Sequence, residues 1–273
     1  MYVYPTRYSR PATLQDAVAR FAACEDPKYL SGGHTLLPTM KGRLAAPTDL
    51  IDIRRIPELS GIRIDADRIA IGAATTHYAV ASSREIAAAI PALSGLAGSI
   101  GDMQVRNLGT IGGSVANNDP AADYPAAVLA LDAEIHTDRR VIPADAYFVD
   151  LYTTALEPSE IIVRVVLKVP QTAGYAKMRN PASRYALAAA FVAKHRDGHV
   201  RVAITGAGNA GVFRWMAAED KLSRDFEAFS IDGLTLDPAD MMEDLHGSAE
   251  YRSHLAAAMT RRAVEYVGGV HIS

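Results

Sequence analysis

Apolar positions along the chain change period repeatedly, and each change marks an element. Leu14, Ala17, Val18 and Phe21 recur at helical spacing behind Thr13-Leu14-Gln15-Asp16, which has the form of a capping box. A short strand at 29–30, a glycine-rich turn, a helix over about 36–43 and a strand at Leu50-Ile51-Asp52-Ile53 follow. Ile62-Arg63-Ile64 and Arg68-Ile69-Ala70-Ile71 alternate with period two around Asp65-Ala66-Asp67, which predicts a hairpin. Ser82 or Ser83 caps a helix running to Ile90, and Pro91 opens another that runs to about Ser99. Further on, 125–131 reads as a short buried helix, and Glu134-Ile135-His136 with Arg140-Val141-Ile142 as a second hairpin. A strong strand over 161–169 is stopped by Pro170.

Gln171-Thr172-Ala173-Gly174 reads as a linker. After it come strand patterns over 174–178, 186–194 and 200–205, with the turn Asp197-Gly198 between the last two and Gly206-Ala207-Gly208 ending the third. Helices are predicted over 214–222 and 250–267, the latter with Leu255, Met259, Arg262, Ala263 and Tyr266 on one face. The elements predict an α+β chain: a two-lobed domain over 1–172, with lobes of about 1–56 and 57–172, then a smaller sheet-plus-helix domain over 173–273.

One stretch follows no period. Gly101-Asp102-Met103-Gln104-Val105-Arg106-Asn107-Leu108-Gly109-Thr110-Ile111-Gly112-Gly113-Ser114-Val115-Ala116-Asn117-Asn118-Asp119-Pro120-Ala121-Ala122-Asp123 combines glycines, hydroxyls, asparagines and carboxylates and reads as a loop. Glycine lets backbone approach a bulky ligand, and bare N–H groups in such a turn form an anion-binding nest. Asp123 is of the type that bonds ribose hydroxyls, an interaction of ~1.5–3 kcal/mol that Asp123→Ala would remove without unfolding the chain. A second glycine segment lies upstream at Leu30-Ser31-Gly32-Gly33-His34-Thr35-Leu36-Leu37-Pro38. A Gly-Gly pair alone is more often only a turn, but two nests with a carboxylate suit the two phosphates and ribose of a dinucleotide.

Composition narrows the class. The chain has 273 residues, one cysteine and a formal charge of −3. Near-balanced charge points away from nucleic acid. Cys24 has no intrachain partner, so neither a disulfide framework nor a cysteine-ligated iron–sulfur cluster held by this chain alone is expected. The eight histidines show no metal-ligand spacing. Met1-Tyr2-Val3-Tyr4-Pro5 lacks the form of a signal peptide, and the apolar runs near 126–131 and 186–193 are too short to span a bilayer, so a cytoplasmic protein is expected.

The two glycine segments, with Gln104-Val105-Arg106-Asn107 before the second, resemble the FAD-binding (medium) subunits of the molybdenum hydroxylase family, which include that of carbon monoxide dehydrogenase and the xanthine dehydrogenase FAD domain. Tyr175-Ala176-Lys177, Gly206-Ala207-Gly208 and Gly247-Ser248-Ala249-Glu250-Tyr251-Arg252 resemble further family segments, so the likeness spans almost the whole chain. The resemblance implies a two-lobed FAD-binding domain of the vanillyl-alcohol-oxidase/PCMH type and FAD as cofactor. Ser31, Gly32, Gly33, His34, Thr35 and Leu36, with Thr110, Ile111, Gly112, Gly113 and Ser114, would surround the pyrophosphate. Asn117 and Asp123 would lie close to the ADP part, Ile100 and Ile162 near the rings, and Lys177 would reach the flavin. Arg184 stands where the family often has an acidic residue, and Tyr185 beside it is left out of the predicted site.

The resemblance also implies partners. An oxidoreductase subunit of this type takes electrons from a [2Fe-2S] small subunit that a molybdenum-cofactor large subunit reduces, in a doubled heterotrimer. Tyr251 and Arg252 are candidate interface residues, against packing of the last helix as the alternative. The competing functions are a self-contained flavin oxidase of the vanillyl-alcohol oxidase type, with flavin covalently attached at His34, and a nucleotide-binding module without turnover.

Overall fold

A computed structural model describes residues 3–273, so Met1 and Tyr2, on which the reading of the chain's start partly rests, lie outside the described residues. Among the described residues, three larger sheets follow one another along the chain, and Phe148–Asp150 pairs with Thr153–Thr154 as a two-stranded one. In the first, Arg7–Ser9 and Pro27–Leu30 flank Asp49–Asp52 in parallel. Parallel neighbours require crossovers, supplied here by the helices Leu14–Ala22 and Leu36–Lys41. The Thr13 hydroxyl accepts the Asp16 N–H, as the capping pattern predicts. Ala17 on the first helix closes a small core with Ile51, Ile56 and Leu59.

The second sheet is antiparallel, in the order Ile62–Asp65, Arg68–Gly72, Ile162–Lys168, Glu134–Thr137, Val141–Pro143. Both predicted hairpins form, and the predicted strong strand zips them together. The third sheet runs Gly211–Arg214, Val200–Gly208, Ala186–Lys194, Thr172–Arg179, Val270–Ile272. Its last pair is parallel and the others are antiparallel. Helix Ala249–Glu265 covers it through Leu255, Ala256, Met259 and Ala263. It packs so closely that a Cβ at Gly174 would lie 1.9 Å from the Ala263 carbonyl oxygen.

The second and third sheets share one core. Ile71, Leu96, Val128 and Val165 belong to the same buried cluster as Tyr175, Phe191 and Ala203. Helix Tyr124–Ala130, every residue of it buried, packs on strands Ala186–Lys194 and Val200–Gly208.

Several elements differ from the sequence reading. Thr172 already belongs to a strand, so the linker is shorter than Gln171-Thr172-Ala173-Gly174. Gly206-Ala207-Gly208 lies inside its strand, and Gly211–Arg214 is a further strand, so the next helix begins at Met216. The C-terminal strand Val270–Ile272 gave no signal, because it is short and half-buried. The largest difference is the stretch read as a loop. It forms two short helices, Met103–Leu108 and Ile111–Asn117, capped by Asp102 and Thr110. Glycine inside a helix is unfavourable by ~1 kcal/mol, which hid the second one. Packing demands it, since a Cβ at Gly112 would sit 2.4 Å from that of Ala73. No helix among the described residues is long and apolar enough to cross a membrane.

Candidate functional site

The two glycine segments meet. Strand Pro27–Leu30 ends at the first, which turns through Gly33 with φ 74° before helix Leu36–Lys41 begins. A Cβ at Gly32 would lie 2.6 Å from the Leu108 carbonyl oxygen and 2.7 Å from the Gly109 Cα, so only glycine permits this approach. Ser31 Oγ and Thr110 Oγ1 are hydrogen-bonded at 2.9 Å across the junction.

The segments differ in what they offer a ligand. Among the described residues, the N–H groups of Gly32, Gly33, His34, Thr35 and Leu36 have no acceptor. Those of the second segment are taken: Ile111 donates to Thr75 O, Gly112 to Ala73 O, Ser114 to Thr110 O and Gly113 to Thr110 Oγ1. The expectation of two bare nests is therefore corrected to one, because the carbonyls of Thr75 and Ala73 take the Ile111 and Gly112 amides and Thr110 takes those of Gly113 and Ser114.

Both segments border a cavity of about 840 Å³. Ser31, Gly32, Gly33, His34, Thr35 and Leu36 line it from the first segment, and Thr110, Gly112, Gly113, Ser114 and Asn117 from the second. Ile100, Ile162 and Asp123 line it as well. Ile111 and Lys177 do not. Ile111 faces the hydrophobic core instead. Lys177, expected to reach a flavin, is 1 % exposed on an interior strand and pairs with Asp123 at 2.8 Å.

Asp123 is more committed than its sequence position suggested. It stands at the start of helix Tyr124–Ala130, is buried, and accepts from the Lys177 ammonium and the Tyr175 hydroxyl of the third sheet. Burial first, then the negative charge of Asp123, raises the Tyr175 hydroxyl well above its ordinary pKa, so it stays protonated and donates. A carboxylate has about four acceptor positions, so the face of Asp123 toward the cavity keeps acceptor capacity.

The sequence reading missed several lining residues. Arg184 and Tyr185 reach the cavity from the third sheet, and Arg184 Nη1 donates to Gly101 O at 3.1 Å. Arg106 Nη1 donates to Gly101 O and Ile100 O, which places Arg106 in a structural network. Asp119 lines the cavity while accepting the Ala121 N–H, and burial raises its carboxyl pKa. Glu160, unremarked in the sequence, is held at about 2 by hydrogen bonds from Arg140. His77 also lines the cavity; burial first, then the charges of His34 and Arg106, pulls it down to about 4. Arg252, a candidate interface residue, is buried: it donates to Leu187 O, Gly206 O and Asp244, which is the packing alternative. Among the described residues no group of His, Cys, Asp and Glu is placed to hold a metal.

Residues 4–172 match the family described as the FAD binding domain in molybdopterin dehydrogenase. The carbon monoxide dehydrogenase medium chain of Hydrogenophaga pseudoflava is 36% identical, over 94% of this chain and 95% of its own. The nicotine 6-hydroxylase medium subunit of Paenarthrobacter nicotinovorans is 34% identical, over 96% and 97%. Among solved structures, a chain of reconstituted CO dehydrogenase from Oligotropha carboxidovorans superposes with a TM-score of 0.89 at 34% identity, covering 98% of this chain and 99% of that one. This chain belongs to the family of FAD-binding domains of molybdopterin dehydrogenases.

Proposed function

We propose that this chain is the FAD-binding, electron-transferring subunit of a multi-subunit molybdenum hydroxylase. The single observation that carries the reading is the cavity where the two glycine segments meet, in a chain of this family. Its volume lies within the ~300–1,000 Å³ of small-molecule and cofactor sites. The residues fit the cofactor. Five unpaired amides, Gly32 to Leu36, suit the oxygens of a pyrophosphate. The Thr35 and Ser114 hydroxyls and the Asn117 amide line the same wall, and Asp123 has acceptor capacity for ribose. Ile100, Ile162 and Tyr185 supply apolar and aromatic surface for the rings.

Bound FAD would supply the redox chemistry, taking electrons from a [2Fe-2S] small subunit and passing them to an external acceptor. The protein's part is to hold the cofactor, shield it from water and present one edge to the iron–sulfur subunit. The molybdenum-cofactor large subunit would set the substrate, and the three chains would assemble as a doubled heterotrimer in the cytoplasm. Residues 1–172 would form the cofactor domain and 173–273 the domain that closes it through Lys177, Arg184 and Tyr185. The self-contained oxidase with flavin on His34 is set aside, because relatives matching over nearly their full length are named as medium chains or subunits.

Reconstitution tests the reading. The purified chain is expected to be yellow, to bleach with dithionite and to release its flavin into the supernatant on acid precipitation. Mixed with the products of neighbouring genes, it is expected to gain mass by light scattering and to show substrate-dependent flavin reduction only in the complex. Substrate-dependent bleaching by the chain alone, or flavin that stays with the acid precipitate, would revive the oxidase.

A further inference from the structure

His77 is a buried polar side chain with no side-chain hydrogen bond, set beside both glycine segments. It opens helix His77–Ser82, and its backbone N–H donates to Gly109 O at 2.9 Å. Its side chain is 94 % sequestered, with 6 % exposed, yet neither ring nitrogen is hydrogen-bonded to a described residue. Nδ1 is sealed away from solvent without a partner; the Tyr124 ring lies 5.3 Å from the His77 ring, centroid to centroid, and its hydroxyl is likewise buried without a partner. Nε2 lies on the side of Gly109, where a Cβ would come within 2.6 Å of it, and His77 lines the cavity there. Gly109 in turn backs Gly32, the first of the unpaired amides.

Buried polar atoms without partners are rare, and those in a binding site point to the ligand that completes them. A neutral imidazole carries one N–H and one lone pair. Nδ1 is buried with no hydrogen-bond partner among the described residues, so the tautomer that offers a donor to a ligand carries its proton on Nε2. Burial keeps the ring neutral at physiological pH. The ring therefore presents an N–H donor beside Gly109, in the same cavity that the free amides of the first segment line.

We propose that His77 is a cofactor-positioning residue whose Nε2–H donates to a phosphate oxygen of bound FAD, adding a side-chain donor to the amides of 32–36. This rests on the FAD reading of the cavity. Its ring also keeps Gly109 in place, so a purely structural role must be separated from the hydrogen bond. The glutamine amide nitrogen reaches the position of Nε2, and leucine offers bulk without a donor.

The test is titration of the apoprotein with FAD and, separately, with riboflavin, which has no phosphate, for wild type, His77→Gln and His77→Leu. His77→Leu is expected to weaken FAD roughly ten- to a hundredfold, His77→Gln to recover most of that loss, and neither to change riboflavin affinity. Failure of the wild type to bind FAD would overturn the FAD reading itself. Wild-type binding with undiminished affinity in His77→Leu would overturn only the role of His77. Equal losses in the two variants, or equal losses for FAD and riboflavin, would make His77 a prop and overturn the hydrogen bond. Should His77→Leu not fold, His77→Asn replaces it, since its amide reaches only the Nδ1 position: selective loss of FAD supports the proposal and full FAD affinity overturns it.

Discussion

Asp123→Ala should destabilise the apoprotein itself, before any effect on cofactor. Lys177 is 1 % and Asp123 5 % exposed, and the substitution would leave a buried ammonium with no counter-charge and the Tyr175 hydroxyl with no acceptor. Removing one partner of a buried pair costs ~3–5 kcal/mol, a large share of the ~5–15 kcal/mol typical of a folded protein. That exceeds the ~1.5–3 kcal/mol expected from a ribose contact alone, so the variant expected to lose cofactor without unfolding should also lose stability. Apoprotein is the right sample, because bound cofactor adds its own stabilisation. Urea unfolding followed by far-UV circular dichroism and by the single tryptophan, Trp215, buried in the C-terminal core, reports the change. With a slope of about 3 kcal/mol/M the midpoint should fall by roughly 1–2 M. Asp123→Ala combined with Lys177→Met removes both charges and should recover much of the loss, since replacing a buried pair by apolar groups is often neutral. An unchanged midpoint in the single variant, or a double variant less stable than the single one, would refute the argument.

Gly32→Ala should abolish FAD binding by flavin fluorescence titration, because its Cβ would press on backbone atoms of Leu108 and Gly109 and part the two segments. Arg252→Ala should lower stability by ~1–3 kcal/mol in urea unfolding through the orphaned Leu187 and Gly206 carbonyls, whereas exposed Tyr251→Ala should stay within ~0.5 kcal/mol. Glu160, held by Arg140 at about 2 against an ordinary 4.5, binds fewer protons folded than unfolded between those values. Its contribution is present above pH 4.5 and lost as the pH falls toward 2, so Glu160→Gln should flatten that part of a stability-versus-pH curve measured by urea unfolding.

Much of this protein is legible in local pattern. The Thr13 cap, the helix opened by Pro91, the hairpin around Asp65-Ala66-Asp67 and the buried helix before Leu131 form where periodicity and turn chemistry place them. Fourteen of the sixteen residues singled out from the glycine segments and from the family resemblance line one cavity. Pattern failed where tertiary contact overrode propensity. Gly112 and Gly113 lie in a helix because Ala73 and the Thr110 cap leave no room for larger side chains. Gly211–Arg214 pairs as a strand only because Val200–Gly208 lies beside it.

By itself the sequence determined most of the order of elements, the α+β class and the two glycine-rich places, because alternation, caps and glycine act over a few residues. The tertiary structure alone decided what those places do. Whether an amide is free depends on which carbonyl folds back upon it, and that separates Gly32–Leu36, left unpaired, from Ile111–Ser114, satisfied by Ala73, Thr75 and Thr110. Asp123 is a buried ion-pair partner only because Lys177, 54 residues later, is carried to it on a strand of another sheet. His77 became part of the cavity wall through Gly109 and Tyr124, neither of them its neighbour in the chain. Burial and partnership are set by contacts between residues far apart in sequence, and no local period encodes them.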